Sequence, residues 1–225
     1  VTMQATDRLT LHSQGHSPYA RKTIVFAHEA GIADRLAIID QETSPTNRNP
    51  EVFAVNPLGK VPVLITPEAG AIFDSLVICD YLDGLHGGRR LIPAEGKARW
   101  QALRLHAIAQ GLCDAGIALR WETLRRPEHL RYLPLQEGQT AKLVESFDVL
   151  ERSQSFDEPV HIGHIGLATA LAWLEFRDLP DFRSGRPRLT RWYEAFSERP
   201  SMRATAYHGE TQDRPTAQGH CGMTG

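Results

Sequence analysis

Asn56-Pro57-Leu58-Gly59-Lys60-Val61-Pro62-Val63-Leu64 is the stretch from which the fold can be read outward. Asn-Pro and Leu-Gly are turn chemistry, and the apolar run Val61 to Ile65 that follows is a strand entered through a proline. Ala71-Ile72-Phe73 lies just downstream, across the turn-like Pro67 to Gly70, so the two runs make a hairpin. Residues 75–85 then place Val77, Ile78, Tyr81, Leu82 and Leu85 on one helical face. Upstream, Leu9-Thr10-Leu11-His12 is a short strand, and Pro18 suits the first turn of a helix over 18–30 that Gly31 stops. A second strand follows at Leu36 to Ile39. Residues 40–57, rich in Asn, Pro and Thr, are expected to be loop. The order is β-α-β, then β-β-α.

Gly87-Gly88-Arg89-Arg90 to Pro93 breaks the pattern and reads as a linker. Beyond it everything is helical. Leu105, Ile108 and Leu112 mark a long helix ending near Leu124; Leu143, Phe147 and Leu150 mark another; Trp192 and Phe196 anchor a last one before Pro200. Ile165 to Leu174 is apolar nearly all round, which places that helix at the centre of a bundle. The expected division is residues 1–86, 94–208, and a flexible or loosely docked tail over 209–225.

The chain has 225 residues, 41% hydrophobic and 23% charged, which is ordinary for a folded protein. Its formal charge of −2 has no polarised half: residues 1–86 carry 6 Lys and Arg against 10 Asp and Glu. Without a basic footprint, nucleic-acid binding is not expected. The Arg183 to Arg191 stretch, broken by Gly185 and Pro187, is expected to be a solvated surface. No apolar run is long enough to span a membrane, and a cytoplasmic protein is expected. Cys79, Cys113 and Cys221 are odd in number and unpaired in spacing, which fits a reducing compartment with neither disulfide nor zinc. His161 and His164 stand three apart at a helix start, but no nearby third ligand completes a metal site, and no metal is expected.

Three of these words together resemble the cytosolic glutathione transferases, in particular the bacterial members of the serine and cysteine classes. Asn56 to Leu64 matches that family's N-P-x-G-x-V-P-x-L pattern, in which the proline after the valine is cis and the valine backbone pairs with the cysteinyl part of glutathione like an added strand. Phe73-Asp74-Ser75 resembles the acidic-Ser pair that opens the third helix and takes the γ-glutamyl end, although Asp74 or Ser75 could equally cap that helix. His12-Ser13-Gln14-Gly15-His16-Ser17-Pro18-Tyr19 resembles the strand-to-helix turn that carries the thiol-activating residue. Ser17 takes that position, and the register leaves His16 and Ser13 as alternatives. A hydroxyl donating to sulfur beside a helix N-terminus lowers a thiol pKa from about 8.5 toward neutrality.

The resemblance covers residues 8–205 and implies an α/β domain of thioredoxin-like βαβ-ββα order followed by an all-α helical bundle. It implies glutathione as co-substrate, held by Lys60, Val61, Pro62, Asp74 and Ser75, a small electrophile in a pocket walled by Tyr19 and Trp121, a detoxifying transferase activity and a homodimer. With no cysteine near the turn, mixed-disulfide chemistry is disfavoured. Isomerase or dehalogenase chemistry would use the same thiolate, and a non-catalytic binding or regulatory protein of this fold is the other alternative. One departure stands out: the sixth helix of the family opens on a Ser/Thr-x-x-Asp capping box, where this chain has His161-Ile162-Gly163-His164, and an imidazole is expected to serve as cap.

Overall fold

A computed structural model describes residues 8–211. Strand β1 (Leu9–Ser13) buries alternate side chains, Leu9, Leu11 and Ser13, as period-2 geometry requires. Helix α1 (Pro18–Glu29) returns the chain to β2 (Leu36–Asp40), which pairs parallel to β1 with Leu11 opposite Ile38. Strand β3 (Val63–Thr66) runs antiparallel on the other side of β1, and β4 (Gly70–Ile72) closes the sheet in the order β2-β1-β3-β4. Gly70 at φ +67 makes the hairpin turn. Helix α3 (Ser75–Asp83) follows.

One helix was not anticipated. Within the stretch expected to be loop, α2 (Pro50–Val55) forms because Asn49 accepts from the N–H groups of Glu51 and Val52 and Pro50 sits in the first turn.

The helical part comprises α4 (Gly96–Arg120), α5 (Leu133–Ser153), α6 (Ile162–Phe176), α7 (Pro187–Ser197) and the single turn α8 (Pro200–Arg203). Helix α4 widens into a π-type turn over Trp121–Arg125 before it stops. Helix α6 is buried from Ile162 to Leu171, as its all-round apolarity requires. Its N-cap is His161, whose Nδ1 accepts from the Gly163 N–H at 3.1 Å while its ring stacks on His164 at 3.8 Å. Among the described residues no group of three His, Cys, Asp or Glu side chains stands together, and no helix is long and apolar enough to cross a membrane.

The two parts share a core. Leu9, Phe26 and Ile78 of the sheet side pack in one cluster with Ala102, Ile162, Ile165, Phe196 and Met202 of the helical side. The segment read as a linker is fastened as well: Leu91 and Ile92 are buried, and their N–H groups donate to the buried carboxylate of Asp83 at 2.8 and 3.1 Å. The Arg183 to Arg191 stretch lies at the surface but is tied by carboxylates, with Arg183 on Glu175 and Glu194 and Arg186 on Asp148. At the start of the stretch expected to be flexible, Glu210 pairs with Arg120 and Arg177, and Arg125 donates to the Thr211 carbonyl. The remainder of that tail, with Cys221, lies outside the described residues.

Candidate active site

The turn between β1 and α1 is held from three sides. Within the sheet domain, Gln14 donates to the Thr43 carbonyl at 2.8 Å, and the His16 ring donates to Glu42 at 3.1 Å. From the helical side, Trp173 of α6 donates its indole N–H to the His16 carbonyl at 3.0 Å. From the C-terminal segment, the His208 N–H donates to the Gly15 carbonyl at 3.2 Å, and a Cβ on Gly15 would lie 2.2 Å from the His208 ring. The His208 ring thus lies directly over Gly15.

Ser17 ends the turn as the N-cap of α1, its Oγ accepting from the Ala20 N–H at 3.3 Å. Accepting uses a lone pair and leaves the hydroxyl proton to be donated elsewhere, so capping and activation of a sulfur are compatible in one side chain. Ser17 and His16 both line the adjoining cleft; Ser13, buried on β1, is not among its lining residues.

The nine-residue motif forms the opposite lip. The Asn56 side chain donates to the Lys60 carbonyl at 2.8 Å and accepts from the Leu58 N–H at 3.0 Å, folding the loop on itself. Gly59, at φ +62, is pressed against the Phe53 ring and fixed through its carbonyl by Thr43. The Val61–Pro62 peptide is cis, as expected, and Lys60 and Val61 line the cleft, whereas Pro62 is not among its lining residues. Asp74 and Ser75 sit apart from this lining. Asp74 caps α3 by accepting from the N–H groups of Leu76 and Val77, and Ser75 is buried in the first turn. Asp74 stands at the head of α3, which packs against α1.

The cleft itself, about 590 Å³, lies between these lips and the helical wall. Both Tyr19 and Trp121 line it. Burial raises the Tyr19 phenol well above its ordinary value, and its hydroxyl donates to Asp114, also on the wall. Below Tyr19, Lys22 donates to His106 Nε2 at 2.8 Å and Gln110 at 3.0 Å across the domain seam. Burial, with Lys22 beside it, lowers His106 to about 3, so it stays the neutral acceptor. Burial pushes the thiols of Cys79 and Cys113 up to about 12, so neither is a thiolate near neutral pH.

Among the lining residues that escaped the sequence reading are Arg48, Phe53, Arg120, Trp173 and Arg177. Trp173 had a usable signal, since a tryptophan inside an otherwise apolar helix must find an acceptor for its indole N–H.

The N-terminal domain model of glutathione S-transferases matches residues 16–85, and the C-terminal domain model matches residues 116–195. A glutathione transferase family member from Pseudomonas fluorescens Pf-5, solved with bound glutathione, is 38% identical, superposes with a TM-score of 0.86 and aligns over 89% of this chain and all of its own. The same 38% identity and coverage, with a TM-score of 0.82, hold for a Pseudomonas fluorescens Pf-5 family member bound to S-(propanoic acid)-glutathione. The uncharacterized GST-like protein YibF of Escherichia coli (strain K12) is 30% identical over 84% of this chain and 94% of its own length. With the thioredoxin-like sheet, the helical bundle and these matches agreeing over both halves, the chain belongs to the glutathione S-transferase family.

Proposed function

We propose that the chain is a glutathione transferase: it binds glutathione in the cleft, holds its thiol as a thiolate through Ser17, and adds the sulfur to an electrophilic carbon. The carrying observation is that Ser17, at the N-terminus of α1, and Lys60-Val61, ahead of the cis Pro62, face one cleft walled by the helical domain. In this reading the Val61 backbone pairs with the cysteinyl unit, Lys60 meets the glycyl carboxylate, and Asp74 and Ser75 meet the γ-glutamyl end at the start of α3. Binding in the similar Pseudomonas proteins, of glutathione and of a thioether of it, supports a site that accepts both thiol and product.

Chemically, the thiol proton leaves to solvent and the sulfur donates its electron pair to carbon. A C–S bond forms as a leaving group departs with its own pair, or as the neighbouring carbon of an unsaturated substrate takes up a proton. The Ser17 hydroxyl donates to the sulfur, and the α1 N-terminus favours the negative charge. Tyr19 and Trp121 wall the space beside the sulfur. A cytoplasmic, detoxifying homodimer belongs to the same reading; Val77 on α3 and Trp100 on α4, exposed at 51% and 68%, support pairing through those two helices.

Titrating the thiolate absorbance of bound glutathione against pH tests the reading. Ser17→Ala should raise the bound thiol's pKa by about one unit, or about 1.4 kcal/mol, and cut turnover of a simple electrophile. An unshifted titration in Ser17→Ala, with a shift in His16→Ala or Ser13→Ala, moves the role to that residue. Absence of glutathione binding in the wild type removes the reading altogether.

A further inference from the structure

We propose that Arg120 and Arg177 form a carboxylate-recognition subsite on the helical wall of the cleft, so that the electrophile this protein accepts carries a carboxylate. The inference rests on the glutathione reading for the word electrophile, but not for the subsite itself.

Both guanidinium groups line the cleft that Ser17 and Val61 line. Arg177 follows the last turn of α6 with a side chain only 3% exposed, and Arg120 ends α4 with a side chain 13% exposed. Withdrawing such cations from water is costly unless anions meet them. Among the described residues the anion that meets them is a single oxygen: Glu210 Oε2 accepts from Arg177 Nη1 at 2.7 Å and from Arg120 Nη2 at 3.1 Å. One buried cation and one largely covered one thus share one carboxylate oxygen, on a side chain that is itself 70% exposed. The Arg177 Nε–H is buried and has no hydrogen-bond partner among the described residues. A guanidinium binds a carboxylate best as a fork, two N–H groups to two oxygens, so the cluster retains donor capacity that Glu210 does not use. Burial, and then repulsion from Arg177 and Arg125, lower the Arg120 pKa against the opposing pull of Glu210.

Glu210 occupies the subsite as a tethered stand-in for substrate. The chain is anchored just before it, where Tyr207 donates to the Thr169 carbonyl at 2.8 Å and His208 to Gly15. Gly209, at φ +80, then turns the backbone so that Glu210 reaches the cluster. A structural latch would gain most from a buried carboxylate; an exposed one on buried cations can exchange with a carboxylate from solution. The ligand class is therefore a small organic anion whose carboxylate displaces Glu210 while its reactive carbon faces the sulfur position near Ser17.

Calorimetry with the full chain tests this in separable steps. Glutathione is titrated first, and its failure to bind overturns the glutathione reading alone. Next, 4-nitrobenzoate and its neutral counterpart 4-nitrobenzamide are titrated. The acid should bind about tenfold more tightly than the amide, the return expected for one charge-assisted pair. Glu210→Gln should tighten the acid several-fold without moving the amide, because the tethered competitor is gone. Arg177→Gln should erase the difference between acid and amide. Equal binding of the two compounds by the wild type overturns the proposal, as does a Glu210→Gln variant that binds the acid more weakly. If Arg177→Gln loses glutathione affinity and keeps the preference for the acid, the pair serves a carboxylate of glutathione and the subsite assignment falls. Glu210 lies on the exposed side, so its variant still decides the matter if Arg177→Gln fails to fold.

Discussion

Gly163→Ala should destabilise the protein, although replacing glycine by alanine within a helix ordinarily does the opposite. A Cβ built at Gly163 lies 2.6 Å from the Ala102 carbonyl oxygen, 2.8 Å from Leu105 Cβ and 3.0 Å from the His161 ring. The first of these is roughly 0.8 Å short of ordinary contact, and a backbone oxygen inside a packed helix cannot swing aside as a side chain can. Helix α6 must therefore retreat from α4, at about 1–3 kcal/mol for overpacking a well-filled interface. Against this stands a helix-propensity gain of at most about 1 kcal/mol, smaller in the first turn where Gly163 sits. The net is a loss of about 1–2 kcal/mol, a fall in melting temperature of about 2–8 °C for a chain of this size. Gly138→Ala is the matched control: it lies exposed on α5 with nothing within 4 Å of an added Cβ. Urea unfolding of both variants should move the midpoints in opposite directions, down for Gly163 and up for Gly138. If Gly163→Ala rises with its control, the close approach of α6 to α4 is not what demands glycine there.

Acid should weaken the fold from near neutrality. His106 and His164 are lowered to about 3, chiefly by burial, whereas unfolded histidines titrate near 6.5. Above that both states are neutral; below it the unfolded chain takes up protons that the folded chain refuses. Stability then falls by up to about 1.4 kcal/mol per pH unit per histidine until the folded values are reached. Urea midpoints between about pH 7.5 and 5 measure the slope, and His164→Phe should reduce it by about one proton's share; an unchanged slope would show that His164 already protonates in the folded state. Burial raises the Glu29 carboxyl, but bonds from Arg199 at 2.8 and 2.6 Å and from Ser201 at 2.5 Å outweigh this and hold it below its ordinary value. Its contribution is present above about pH 4.5 and is lost on further acidification. Arg199→Lys, which cannot reproduce the fork, should cost about 1 kcal/mol at pH 7 by the same assay, and no loss would mean the pair is fully screened.

What was legible from residues alone was local. The nine residues from Asn56 to Leu64 carry their own turn, glycine and proline chemistry within one loop, and the loop they build is the expected one. Ser17-Pro18 reads as a helix start because a cap and its helix are neighbours in sequence. Helix α2 was missed although Asn49-Pro50 is itself a helix-start signal, because the surrounding Asn, Pro and Thr read as loop chemistry. Asp74 was legible as a cap, and the structure leaves that role in plain view while seating it outside the cleft lining. Arg120, Arg177 and Glu210 could not be found by spacing. Two of them are helix-end arginines of a kind found on many surfaces, and only the packing of α4, α6 and the C-terminal segment makes them neighbours.

The hydrogen bond from Trp173 to the His16 carbonyl also bears on how the protein is made. Its partners are 157 residues apart, and the companion bond joins Gly15 to His208. During synthesis the strands and α1 leave the ribosome early with the bonds to Thr43 and Glu42, yet the turn that ends in Ser17 lacks its two later braces until α6 and then residue 208 have emerged. On the ribosome the early half presents a sheet with a half-braced turn and an uncovered apolar face awaiting α4 and α6. The segment from α6 to residue 208 therefore governs when the turn is fully braced, and a ribosome halted after α5 would display a chain whose turn is held from the sheet side alone, through Thr43 and Glu42.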